Sequence, residues 1–172
     1  MYTTYVLVLD KISASDVAFG KRLFAMTRGL YLYVGSAKRG LDHRLARHLR
    51  KVKLLRWHVD YLTTRDDITV RAVFLSPLGE CETFRRVAAL GTPLGHRLGS
   101  SDCRCPSHFV ALSARSVRAV KHHLSEVGFV PYTSRRQRNE NPEFQSPNSE
   151  QAPNPNAQSR TIRSLFGSSV IW

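Results

Sequence analysis

The spacing of apolar positions divides the chain into short alternating segments and longer periodic ones. Residues 2–9 (YTTYVLVL) are β-branched and aromatic and short enough for a strand. Residues 10–28 are mixed and polar and read as a long connection. In 29–36 (GLYLYVGS), Leu30, Leu32 and Val34 fall on one face, and Tyr31, Tyr33 and Gly35 on the other. That is a strand ending at Gly35. Leu41, Leu45, Leu49 and Val52 then recur at spacings of four and three, one apolar stripe on a helix, with Arg47 and Arg50 facing solvent. Arg44 and His48, four apart, lie on the edge of that stripe.

Residues 58–63 (HVDYLT) and 70–75 (VRAVFL) have strand composition. Residues 80–90 open with acids and read as a helix. Residues 109–112 suit a last strand, and 113–127 a basic helix capped by Ser113 and closed by Gly128. The order ββαββαβα predicts an α/β or α+β domain over residues 1–131, with a mostly antiparallel sheet of three or more strands flanked by helices. Residues 132–160, rich in Pro, Asn, Gln and Ser, bury too little apolar surface to offset ordering entropy and are expected to be disordered. The apolar end, 161–172, is expected to dock or to bind a protein partner.

Charge changes this picture most. Lys+Arg number 26 against 13 Asp+Glu, for a net charge of +13. Residues 1–131 hold 21 basic and 10 acidic side chains, so the charge belongs to the domain. Such a surface attracts polyanions, nucleic acid first and an anionic membrane surface second. No apolar run approaches the ~18–20 residues needed to span a bilayer, and no signal peptide is apparent at Met1, so no membrane-spanning segment is expected, and nucleic acid rather than a membrane is the expected partner. The three cysteines are an odd count for a disulfide framework, which suggests a reducing, cytoplasmic setting.

Between Lys38 and Arg56 one acid, Asp42, accompanies eight bases: Lys38, Arg39, Arg44, Arg47, Arg50, Lys51, Lys53 and Arg56. A single-sign run after a glycine-ended strand suits phosphate contact. Tyr33-Val34-Gly35-Ser36, followed by Arg44 and His48, resembles the second half of the GIY-YIG nuclease motif. Tyr5 matches the tyrosine of the first half, with Thr3 in place of the glycine. Trp57-His58-Val59-Asp60-Tyr61-Leu62, Glu80-Cys81-Glu82 and the segment from Gly99 through Cys103, Cys105 and His108 resemble a small prokaryotic branch of that superfamily. The resemblance covers about residues 3–128. It implies hydrolysis of DNA phosphodiesters with one divalent metal, Mg²⁺ or Mn²⁺, in a repair, restriction or related setting.

The implied catalytic residues are Tyr5, Tyr33, Arg44, His48 and Glu80. Arg44 suits a phosphate oxygen, and His48 a proton shuttle. Glu80 is the better-placed carboxylate for a hard cation and Glu82 the rival; two residues apart on a helix, only one of them can face the site. Cys81, Cys103, Cys105 and His108 match the ligand number of structural Zn²⁺, although Cys-x-Cys is tighter than the usual spacing. They also read as small buried side chains. His58 and Asp60 fall on one strand face, near a catalytic centre or paired with each other. Two alternatives stand beside the nuclease. One is a non-catalytic nucleic-acid-binding module keeping the fold. The other is an accessory protein recruited through its tail, with the basic face on RNA.

Overall fold

A computed structural model of the chain describes residues 2–114 and 116–133. The expected linker from residue 134 and the apolar end at 161–172 lie outside the described residues. In chain order the elements are β1 (Thr4–Lys11), β2 (Ser15–Phe19), β3 (Arg22–Met26), β4 (Gly29–Ser36), α1 (Leu41–Leu49), α2 (Asp60–Thr63), β5 (Ile68–Ser76), α3 (Glu80–Ala88), β6 (Gly91–Pro93), β7 (Phe109–Leu112), α4 (Val117–Glu126) and β8 (Val130–Pro131). Six strands form one sheet in the order β6-β7-β4-β1-β5-β8, and every pairing in it is antiparallel. β2 and β3 make a separate hairpin. The fold is α+β, as the pattern predicts.

β1 lies at the centre of the sheet and is buried on both faces, which is why it reads as a nearly unbroken apolar run. Tyr5, Leu7 and Leu9 point to one side, with Tyr31, Tyr33 and Phe109, under α1, α2 and the hairpin. Val6 and Val8 point to the other, with Leu32, Val34 and Phe74, under Phe84 and Val87 of α3 and Val120 and Leu124 of α4. Two apolar layers therefore clamp one sheet. No helix among the described residues is long and apolar enough to cross a membrane.

Four local readings need correction. Residues 10–28 contain the β2–β3 hairpin rather than a plain connection. Its signals are the alternation of buried Val17 and Phe19 and the two-residue turn Gly20-Lys21, where Gly20 has φ 63°. Residues 58–63 form a turn leading into the short helix α2, not a strand. Val59, Leu62 and Thr63 are buried, which is helical spacing, whereas strand spacing would bury every second residue. The α1 stripe does not continue to Leu49 and Val52: the helix stops at Leu49, and Val52 is 93 % exposed. His48 takes the inward position instead. Finally, α4 is capped by Ser116, whose Oγ accepts the Ala119 N–H at 3.4 Å, and not by Ser113.

Candidate active site and cysteine–histidine cluster

The site begins with a missing side chain. Tyr5 lies opposite Gly35 across the β1–β4 ladder. A Cβ at position 35 would approach within 2.6 Å of the Tyr5 hydroxyl and 3.0 Å of the Tyr33 ring. Glycine lets the Tyr5 ring cross the strand beside Tyr33, with ring centroids 6.3 Å apart. Burial raises both phenols well above their usual range, so both are protonated at neutral pH.

α1 brings Arg44 and His48 onto this pair from one helix face. The Tyr5 hydroxyl is 2.8 Å from His48 Nε2, and His48 Nδ1 is 3.3 Å from Asp60 Oδ1. Asp60 is fully buried. It also accepts both contacts from Arg47 Nη1, at 3.0 and 2.8 Å, and the backbone N–H groups of Arg56 and Trp57, at 2.9 and 3.0 Å. Burial raises the Asp60 pKa, but these donors outweigh it and bring the value to about 2. His48 is lowered to about 4 by burial, against the pull of Asp60. A charged Asp60 takes the Nδ1–H of a neutral His48, leaving Nε2 as the acceptor for the Tyr5 O–H.

Asp60 is the residue that sequence reasoning misplaced. Read on a strand, it shares a face with His58; in the fold it pairs with His48. A lone acid just after the basic 38–56 run was the available signal, since a buried carboxylate needs cationic or N–H partners.

In front of this relay is a cleft of about 300 Å³ lined by Tyr33, Ser36, Arg44, Trp57, His58 and Glu80, and by the loop containing Gly99, Ser101 and Asp102. The Arg44 guanidinium lies 4.2 Å from the centre of the Trp57 ring, and its buried Nε has no hydrogen-bond partner among the described residues. A larger groove of about 660 Å³, between α4 and β5, holds none of these groups. Glu80, at the start of α3, accepts a hydrogen bond from Ser36 and contacts His108. Burial raises its carboxyl, but His108, Ser36 and Arg44 together hold it below the usual value. Glu82 turns away from the cleft and pairs with Arg85 and Arg86.

Behind Glu80, Cys81, Cys103, Cys105 and His108 bring four ligand atoms within 4.8 Å of one another, a group that could hold a metal ion. All three cysteines are free. The tight Cys-x-Cys spacing is accommodated because Cys81 arrives from α3 and His108 from the position just before β7. Cys103 Sγ is 3.4 Å from His108 Nε2, and the Cys105 N–H donates to Cys103 Sγ at 3.5 Å. Burial pushes the Cys105 thiol up to about 12.

The basic run divides in two. Lys38, Arg39, Arg50 and Arg56 are exposed. Arg47, expected in solvent, is instead held by Asp60. Lys53 Nζ donates to the His48 carbonyl at 2.7 Å and to Thr63 Oγ1 at 2.6 Å. Lys51 Nζ donates to the Ile68 carbonyl at 2.7 Å, and also to that of Arg65. These three amines and guanidinium groups tie the 50–59 loop to the domain.

No curated protein and no solved structure matches this chain. The family described as Domain of unknown function DUF123 matches residues 4–129, which span every element that builds the site. The chain therefore belongs to the DUF123 family.

Proposed function

We propose that this protein is a GIY-YIG-type endonuclease that hydrolyses DNA phosphodiester bonds with Mg²⁺ or Mn²⁺. One observation carries the reading. Tyr33, Arg44 and Glu80 converge on a single cleft, with the Tyr5–His48–Asp60 relay directly behind it. The donors suit a hard cation: Glu80 is a half-buried carboxylate and Ser36 adds an oxygen, leaving most sites to water. When bound there, such an ion supplies Lewis-acid polarisation of the phosphate and a more acidic water.

The chain's own residues account for the remaining roles. Arg44 offers its fork to a phosphate oxygen and stabilises the charge that develops on it. Neutral phenols cannot act as free bases at pH 7, so a tyrosine that takes a proton must pass one on. Tyr5 has that outlet, because its O–H already points to the vacant Nε2 of His48. Asp60 stabilises the imidazolium formed as the proton arrives. Lys38 and Arg39 follow the cleft residue Ser36, and Arg56 precedes Trp57, so exposed cations adjoin cleft residues along the chain and are available to backbone phosphates. We assign Zn²⁺ to the cysteine–histidine cluster, because three thiolates and an imidazole form a soft to borderline donor set. The free thiols fit a reducing compartment such as the cytoplasm.

The test is nicking of end-labelled DNA, and of RNA in parallel, with Mg²⁺ and with Mn²⁺. Wild type is expected to cleave DNA, and Glu80→Ala to bind it without cleaving. An inactive wild type that binds DNA would leave the binding module in place of the nuclease.

A further inference from the structure

His108 faces two ways. Its Nε2 belongs to the cysteine cluster, and its Nδ1 lies 2.8 Å from Glu80 Oε1. The ring is 1 % exposed. The Nδ1 contact is close but poorly aligned for a hydrogen bond, and Nδ1 has no other partner among the described residues. We infer that Zn²⁺ held by Cys81, Cys103, Cys105 and His108 positions the Glu80 carboxylate through the His108 ring. The inference rests on the nuclease reading for its consequence in catalysis, but not for the metal site itself.

The geometry of the cluster supports a single tetrahedral ion. With Zn–S near 2.3 Å and Zn–N near 2.05 Å, tetrahedral ligands leave S and N about 3.6 Å apart. Cys103 Sγ and His108 Nε2 are 3.4 Å apart. The Cys105 N–H aimed at Cys103 Sγ is suited to stabilising a thiolate.

A metal on Nε2 fixes the tautomer, because Nδ1 must then carry the hydrogen. The ring becomes an obligatory donor with one acceptor in reach, Glu80 Oε1. This is the carboxylate–histidine–metal arrangement in which the outer carboxylate orients the ring and raises its basicity. Here the same carboxylate opens onto the cleft, where Ser36 holds its other oxygen. Without the zinc ion, Nδ1 can be the bare nitrogen and face a carboxylate as one acceptor against another. His108 is thus a positioning residue: it acts on the reaction only through Glu80. The coupling must also be reciprocal, so the Glu80 charge must strengthen zinc binding.

Reciprocity gives a test that needs no cleavage assay. Zinc affinity of the full chain is measured by competition with a chromophoric chelator. Wild type is expected to bind about one equivalent, and Glu80→Gln to bind about 10- to 100-fold more weakly. Glu82→Gln removes the same charge two residues along, from a side chain on the other face of α3 that pairs with Arg85, and is expected to bind zinc like wild type. Equal affinity in wild type and Glu80→Gln, or no zinc in wild type, overturns the inference.

The second arm is His108→Cys, which keeps four ligands and discards Nδ1. It is expected to retain zinc while kcat for DNA falls about 10-fold or more, with KM little changed. Cleavage at the wild-type rate in zinc-loaded His108→Cys overturns the positioning role. A wild type that binds zinc but cleaves no DNA removes the nuclease reading; the Glu80→Gln competition then still decides the coupling. If His108→Cys does not fold, that same comparison decides it.

Discussion

β1 carries a buried polar cluster at each end, and the two clusters differ in one respect that matters. At its C-terminal end, Lys11 is fully buried. Its Nζ donates to Ser15 Oγ at 2.7 Å and forms an ion pair with Asp67. Asp67 also accepts Arg65 Nε at 2.7 Å and Ser13 Oγ at 3.2 Å. Lys11 and Asp67 thus satisfy each other, and neither lines the cleft or the groove described above. At the N-terminal end, Tyr5, His48 and Asp60 are bonded just as closely, but their neighbour Arg44 keeps a donor unused. Arg44 Nε lacks a hydrogen bond among the described residues, and Arg44, Tyr33 and Glu80 line an open cleft. Buried charge by itself does not mark a site. A cluster with spare valences facing a cavity does.

Substitutions should separate the two ends by kind as well as by size. Arg44→Ala is expected to lower the rate of DNA cleavage by about 10²-fold or more, with small changes in melting temperature and DNA affinity. Asp67→Asn should do the reverse. It leaves Lys11 buried without its countercharge and should cost about 3 kcal/mol in denaturant unfolding, while the folded fraction keeps its activity. An Arg44→Ala protein that loses stability but not activity would erase the distinction.

Acid titration sharpens it. His48 binds its proton near pH 4 when folded and near pH 6.5 when unfolded. Between these values the unfolded state holds more protons, so stability is full above about pH 6.5 and falls on acidification, by about 3 kcal/mol at pH 4. His58, also lowered by burial, acts in the same window, so the readout is the difference between wild type and His48→Gln. The Asp67 carboxyl is held well below its usual range by Arg65 and Lys11 against the raising effect of burial, so its contribution persists to lower pH. Chemical denaturation from pH 7 to pH 4 should show a shallower slope in His48→Gln and an unchanged slope in Asp67→Asn.

The smallest effect concerns the exposed part of the basic run. Arg50→Gln with Arg56→Gln removes two exposed cations, and the salt dependence of DNA binding should become shallower by about 1.8, at roughly 0.9 per phosphate contact. An unchanged slope would move the contact surface elsewhere. Arg47 and Lys53 are unsuited to this test, because both are tied to Asp60 and the loop around it.

Linear pattern is enough for features that depend on neighbouring positions. The central strands, the α3 start and the basic run are read directly, because β1 and β4 bury alternate or continuous apolar positions and a helix repeats every three to four. Arg44 and His48 share one helix side by the same rule, whereas their grouping with Tyr33 came from the resemblance to the GIY-YIG motif. Tertiary structure alone decided what crosses from element to element. It moved Asp60 from His58 to His48, because residues 58–63 turn into a helix instead of extending. It turned Arg47 inward, brought Glu80 rather than Glu82 to the cleft through the rotation of α3, as the sequence had favoured, and set His108 between the cysteines and Glu80. Those choices depend on distances across 12 to 44 residues of chain, where packing and the pairing of buried charge, and not local periodicity, fix which side chains meet.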